Sequence, residues 1–235
     1  DRARLCLAMG VADWQELMHT LDSHRQKVQT HFNSTLRRSD EDDTTVAAAD
    51  SIAGVWQADE VAASALAELA GLGFKTPAEV VNRLATLKHN SAIQRLGETG
   101  RARLDRLLPQ IIYACAAESA PDAALAGCLK VIESIGRRSA YFALLNENPG
   151  ALKRLVALAA RSDFLASQIA AHPLLLDELL DPRVFSAPPQ RAELDADLQL
   201  RLRSRSSDDP EQQLEGLRNF QQAAVFRTAV ADMSA

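Results

Sequence analysis

The apolar positions of this chain recur at helical spacing almost from end to end. From Trp14 the set Trp14, Leu17, Met18, Leu21, Val28, Phe32 and Leu36 follows i, i+3, i+4, i+7, which predicts a long amphipathic helix with Asp13 and Glu16 as a capping pair. Residues 37–50, RRSDEDDTTVAAAD, then break the pattern with an acidic run and no apolar face, as a solvated linker does. Beyond it the periodicity predicts helices near 59–70, closed by Gly71 and Gly73, from Pro77 to Lys88, and near 100–118. Further helices are expected over 121–145, 149–160, 163–171, 173–180, 190–204 and 210–235. Leu104, Leu107, Leu108, Ile111, Ile112 and Cys115 form one apolar stripe, and Leu125, Leu129, Ile132 and Ile135 another.

Start signals reinforce the pattern. Thr76-Pro77-Ala78-Glu79 combines an N-cap residue, a proline at the first helical position and a glutamate at the third. Asn148-Pro149 and Asp209-Pro210 repeat the first two, and Pro121, Pro173 and Pro182 also precede apolar-periodic stretches. Pro109 falls inside a helix, where it removes a hydrogen bond and should kink or split it. No period-2 run of β-branched residues is present, and alanine and leucine dominate an apolar set with only 5% aromatics, a composition that fills helices. The fold expected is all α: helical bundles in two units, 1–36 and 59–235, joined by a linker over 37–58.

At 235 residues the chain is long enough for one large or two small domains. Charges interrupt every apolar stretch, so no run approaches the ~18 residues of a membrane helix. A net charge of −5 supplies no basic face for nucleic acid, and protein partners are the class favoured. Cys6, Cys115 and Cys128 are odd in number and never form a C-x-x-C pair, which disfavours a disulfide scaffold or zinc knuckle and fits a reducing cytoplasm. The chain begins at Asp1 without a signal-peptide apolar core, and both ends read as helix, so it is expected to be cut from something longer.

Candidate chemistry is sparse. Phosphate-loop, dinucleotide, zinc-protease and nucleophile-elbow motifs are absent. Of His19, His24, His31, His89 and His172, only His24 and His31 share a helix face, seven apart, wider than the usual spacing of ligand histidines. Asp195-Ala196-Asp197 matches the D-x-D with which nucleotidyltransferases hold magnesium, yet it lies in a polar helical stretch rather than on a strand beside a phosphate loop. Cys115 and Cys128 read as buried filler. Arg137-Arg138 is the paired basic signal nearest a candidate core; the pair is a candidate partner or inter-domain contact, able to clamp a carboxylate or phosphate, with a salt bridge to Glu133 or Glu147 as the plainer alternative.

Three blocks carry a resemblance. RRSAYFALLNENP at 137–149 with ALKRLVALAARSDFLASQIAAHPLLLDELLDPRVF at 151–185 resembles the central region of the bifunctional glutamine synthetase adenylyltransferase/adenylyl-removing enzymes; HPLLLDELLDP is its most specific piece. LEGLRNFQQAAVFRTAVADMSA at 214–235 is similar to the helix leading into that family's second catalytic domain, and RARLCLAMGVADWQELMHTLDSHRQKVQTHF at 2–32 to the last helices of the first. The resemblance implies a bacterial cytoplasmic parent with two nucleotidyltransferase domains, one removing AMP from glutamine synthetase by phosphorolysis, the other attaching it from ATP with magnesium. It further implies regulation by glutamine and the PII signalling protein. Each catalytic domain of the family carries a glycine-rich turn and a strand-borne D-x-D; this chain has neither, so no catalytic, cofactor or metal residue transfers to it. It is expected to be a connector and regulatory segment, without a catalytic centre. A free-standing helical adaptor that binds a protein partner is the alternative, and an enzyme complete in this chain would need a convergent polar site that the sequence does not display.

Overall fold

The helix that begins at Pro121 is packed on by four others, and the rest of the described residues are built around it. A computed structural model describes residues 52, 54–56, 63–185, 188–203 and 209–234, all within the unit Ala47–Ala235. The helix expected from Trp14, the acidic break at 37–50, Cys6, His19, His24 and His31 lie outside the described residues. Ten α-helices and two 3-10 segments follow one another, with no strand among the described residues. In order they are α1 (Ala63–Gly71), α2 (Pro77–His89), α3 (Ser91–Gln94), α4 (Glu98–Ala116), α5 (Pro121–Ser134), α6 (Ser139–Glu147), α7 (Pro149–Arg161) and α8 (Asp163–Ala171). The 3-10 segments Pro173–Leu180 and Pro182–Phe185 come next, then α9 (Arg191–Arg203) and α10 (Pro210–Ser234). The all-α expectation is met.

Buried residues of α5 lie on nearly every side, from Ala124 and Leu125 through Gly127, Cys128 and Leu129 to Val131 and Ile132, as in a helix enclosed by others. Helices α2, α4, α7 and α8 all pack against it. The stripe read on α4 is buried throughout, Leu104 to Cys115, and faces α5, α6 and α7. Ile52, Val55 and Trp56, inside the stretch read as a linker over 37–58, are buried too. The Trp56 indole donates from Nε1 to Asp105 Oδ1 at 2.8 Å, with Lys88 and Arg101 over its ring at 5.2 and 5.8 Å; a tryptophan buried with its N–H paired is the usual solution.

Several local expectations change. Of the kink or split expected at Pro109, the split does not occur: α4 runs unbroken from Glu98 to Ala116, and in the turn before the proline Gln110 Nε2 donates to Arg106 O and Asn146 Nδ2 to Arg103 O. The helix expected over 121–145 is two helices. The first ends at Ser134 with Ile135 as its cap, and Gly136 just beyond sits where a β-carbon would stand 3.0 Å from Ile93 Cδ1 and 3.1 Å from Ala92 Cβ; α3, itself absent from the sequence reading, presses on that corner. Residues 173–180 form a 3-10 segment, long for its kind, held from outside by bonds described below.

The capping expectation holds at one site of three. Asp209 Oδ1 accepts from the amides of Glu211 and Gln212. Thr76 makes no cap; its hydroxyl donates to Asp122 Oδ1 at 2.6 Å, while the amides of Lys75 and Thr76 donate to the same carboxylate. Asn148 Nδ2 closes the preceding helix on Leu144 O instead of opening the next. A tertiary acceptor outcompeted the cap at Thr76, and a carbonyl of the helix before it did so at Asn148.

Candidate functional site

The segment with the most specific resemblance, HPLLLDELLDP, folds into the 3-10 stretch, and an ion-pair junction gathers on it. Leu175, Leu176 and Leu179 are buried, which turns Glu178 toward α9 and α10. Glu178 Oε1 accepts from Arg201 Nη2 at 3.1 Å and Glu178 Oε2 from Arg227 Nε at 2.6 Å. Asp197, one turn before Arg201 on α9, accepts from Arg201 Nε at 2.8 Å, and its Oδ2 lies 3.3 Å from Arg227 Nη1. Two carboxylates and two guanidiniums thus alternate, with Glu178 only 12% and Asp197 18% exposed. Burial alone would lower the Arg201 pKa; the bonds and charges of Asp197 and Glu178 outweigh it and raise it. Arg201 stays charged.

Α second bond fixes the 3-10 stretch from the other side. Arg154 Nε on α7 donates to Leu179 O at 2.7 Å, which replaces the helical partner that carbonyl lacks. Asp181, at the stretch's end, takes four bonds from the Arg183 side chain and backbone at 2.7 to 3.0 Å, two of them from Nε. Those bonds hold the Asp181 carboxyl down at about 2. Segment 173–183 therefore links α7 to α9 and α10 by side-chain bonds as well as by packing.

The residues singled out from sequence are scattered. Asp195 and Asp197 are two apart on an α-helix, about 200° around its axis at ~100° per residue, and they serve different partners: Asp195 faces Arg191 at 3.9 Å, while Asp197 belongs to the junction. A magnesium ion needs carboxylates that converge and are free to ligate; a pair splayed around a helix, one of them held by two arginines, does not fit the ion. Arg137 and Arg138 stand exposed on the turn between α5 and α6, not inside a helix. Among the described residues neither pairs with a carboxylate. Glu133 instead accepts from Asn90 Nδ2. Burial, with the charge of Asp177, pushes the Tyr141 hydroxyl pKa up, while Arg138 hydrogen-bonds it and pulls the other way.

His89 ends α2, exposed, and His172 caps α8. No group of three or more metal-ligating side chains occurs among the described residues. Cys115 on α4 and Cys128 on α5, fully buried, meet: the two thiols hydrogen-bond, and burial above all pushes Cys115 well up. That keeps it a thiol at neutral pH, so filler is the correct reading and their adjacency is new. Sequence reasoning missed the junction altogether; its one trace was the D-x-D, whose second carboxylate has an arginine four residues on, the spacing of a helical ion pair.

Comparison with known proteins bears on this geometry. The family model for glutamate-ammonia ligase adenylyltransferase matches residues 152–235, which contain the whole junction. Bifunctional glutamine synthetase adenylyltransferase/adenylyl-removing enzymes align with the entire chain: that of Pseudomonas putida is 37% identical over 236 residues and that of Pseudomonas aeruginosa 38% over 240, each covering 100% of this chain. The enzyme from Thioalkalivibrio sulfidiphilus is 38% identical over 99% of it. The chain matches a segment of this enzyme family. It spans about a quarter, 24%, of the length of these adenylyltransferase relatives. Arg137 and Arg138 precede the part matched by the adenylyltransferase family model, whereas Glu178, Asp197, Arg201 and Arg227 fall within it. No helix among the described residues is long and apolar enough to cross a membrane.

Proposed function

We propose that this chain is the central, non-catalytic helical segment of a bifunctional enzyme that adenylylates and de-adenylylates glutamine synthetase, and that it connects and regulates the two activities. The observation that carries the reading is the alignment of the whole chain with a quarter-length piece of such enzymes. The fate of the D-x-D supports it, since Asp197 is committed to Arg201 and Arg227. On this reading ATP and magnesium are handled by parts of the parent outside this chain, in the cytoplasm of a bacterium, and glutamine synthetase and the PII protein are the parent's partners.

A connector couples two sites when it has two packings of different stability, each favoured by a different effector. The junction suits that role. Withdrawing one arginine leaves two largely buried carboxylates sharing a single guanidinium, so the four groups are held or released together rather than one at a time. Movement of α10 is thereby passed to the 3-10 stretch and, through Arg154 and Leu179 O, to α7 and the core. The test is transfer of labelled AMP. The 235-residue chain, given glutamine synthetase with ATP and magnesium or with phosphate, neither adds nor removes AMP above background, while the full-length parent does both. Transfer by the chain alone that is abolished by Asp195→Ala with Asp197→Ala refutes the non-catalytic reading.

A further inference from the structure

A groove of about 450 Å³ runs along α7, away from the ion-pair junction, and its charge is one-sided. Lys153, Arg154 and Arg161 line it together with Leu158, Phe185 and Met233, and no carboxylate does. In a chain of net charge −5 that is a local inversion of sign. Lys153 and Arg161 form no ion pair among the described residues. Arg154 is anchored by its Nε on Leu179 O and lies 5.9 Å from the centre of the Phe185 ring, which leaves its two terminal nitrogens over the groove. The acid whose charge acts on it, Asp181, is already taken by the Arg183 fork. Gly150 makes room for that guanidinium, because a β-carbon there would stand 3.3 Å from Arg154 Nη2.

The helix dipole accounts for Arg161, in the last turn of α7, but not for Lys153 and Arg154 near its start, where the first turn carries no acid. Seven to eight residues separate them from Arg161, about 11 Å at ~1.5 Å per residue, with apolar surface between. One phosphate or carboxylate group cannot bridge that span. A chain segment with several carboxylates around an apolar centre can, and recognition of acidic motifs by basic clusters uses this chemistry.

We propose that this groove docks an acidic segment of a partner protein, its carboxylates paired with Lys153, Arg154 and Arg161 and its apolar side chains laid over Phe185 and Met233. The proposal does not rest on the connector reading and stands or falls separately from it. Titration calorimetry of the 235-residue chain tests it with three terminally blocked hexapeptides: Glu-Glu-Leu-Phe-Glu-Glu, Glu-Glu-Gly-Ser-Glu-Glu and Lys-Lys-Leu-Phe-Lys-Lys. The first binds, the second binds at least about tenfold more weakly, and the third does not bind; affinity for the first falls as salt rises. Lys153→Gln with Arg161→Gln, both exposed and outside any ion pair with a described carboxylate, weakens the first peptide at least about tenfold with unchanged melting. Arg154→Gln weakens it as well, its melting curve showing whether the Leu179 bond was also lost. Absence of binding by the first peptide, binding indifferent to the Lys153/Arg161 double substitution, or inorganic pyrophosphate binding as tightly with the same dependence on these residues overturns the proposal.

Discussion

Gly127 sits where α5 crosses α7 and α8, and replacing it with alanine sets two effects of known size against each other. Glycine inside a helix costs about 1 kcal/mol relative to alanine, so propensity alone makes Gly127→Ala stabilising. The added methyl, however, would stand 2.9 Å from Ala159 Cβ and 3.1 Å from Ala166 Cβ, with Ala159 Cα at 3.5 Å. Both methyls are rigidly attached to packed helices, so the clash is relieved only by moving α7 or α8 off the central helix. Overpacking of this kind costs about 1–3 kcal/mol, and with two close neighbours we expect the upper half of that range. The net result is a loss of about 1–2 kcal/mol, or about 2–8 °C in melting temperature at ~2–4 °C per kcal/mol for a chain of this size. Urea unfolding followed by far-ultraviolet circular dichroism, read as a lower midpoint at constant slope, measures it. Ala159→Gly removes the nearer methyl at a propensity cost of about 1 kcal/mol; combined with Gly127→Ala it is then more stable than the sum of the two single changes by about 2 kcal/mol, less whatever Ala166 still opposes. A Gly127→Ala protein more stable than the parent, or a double variant equal to the sum within about 0.5 kcal/mol, refutes the argument that these backbones touch.

Three further outcomes are expected. Burial would raise the Asp122 pKa, but its bonds from Thr76 Oγ1 and the amides of Lys75 and Thr76 outweigh burial and lower it; the stability this contributes is present above the unfolded value near ~4 and is lost as pH falls through the lower folded value. Asp122→Asn therefore costs about 1 kcal/mol at neutral pH, the low end for bonds to a partly solvated charge, and nothing once the carboxylate is protonated, as paired melts at pH 7 and 2.5 show. Cys115 and Cys128 should react with an aromatic disulfide reagent only as fast as the core opens; rapid labelling under native conditions contradicts their burial. Arg137→Ala with Arg138→Ala should change stability by under about 1 kcal/mol, since both side chains are exposed. If the pair carries an inter-domain contact in the full-length parent, the same double change moves the glutamine and PII midpoints of the two activities at constant melting temperature, and unmoved midpoints exclude that contact.

The sequence by itself determined the class of fold and most of the elements, because both are local properties. Helical spacing placed the buried stripe of α4, proline marked the starts of α2, α5, α7 and α10, and absent motifs left no recognisable catalytic constellation. Tertiary structure decided whatever depended on a neighbour remote in sequence. The helix expected over 121–145 ends at Ser134, beside a corner at Gly136 that Ala92 and Ile93 approach from 43 to 44 positions upstream, and Thr76 turns from its own helix to Asp122, 46 residues away. Glu178 finds Arg227 across 49 residues, and the second carboxylate of a D-x-D that reads as a weak metal motif joins them in an ion-pair junction. Side chains two apart on a helix diverge, and only the packing of α9 and α10 on the 3-10 stretch fixes which carboxylate meets an arginine. The basic groove has the same origin: Lys153, Arg154 and Arg161 are ordinary charges on one amphipathic helix until Phe185 and Met233 close over the same side of it.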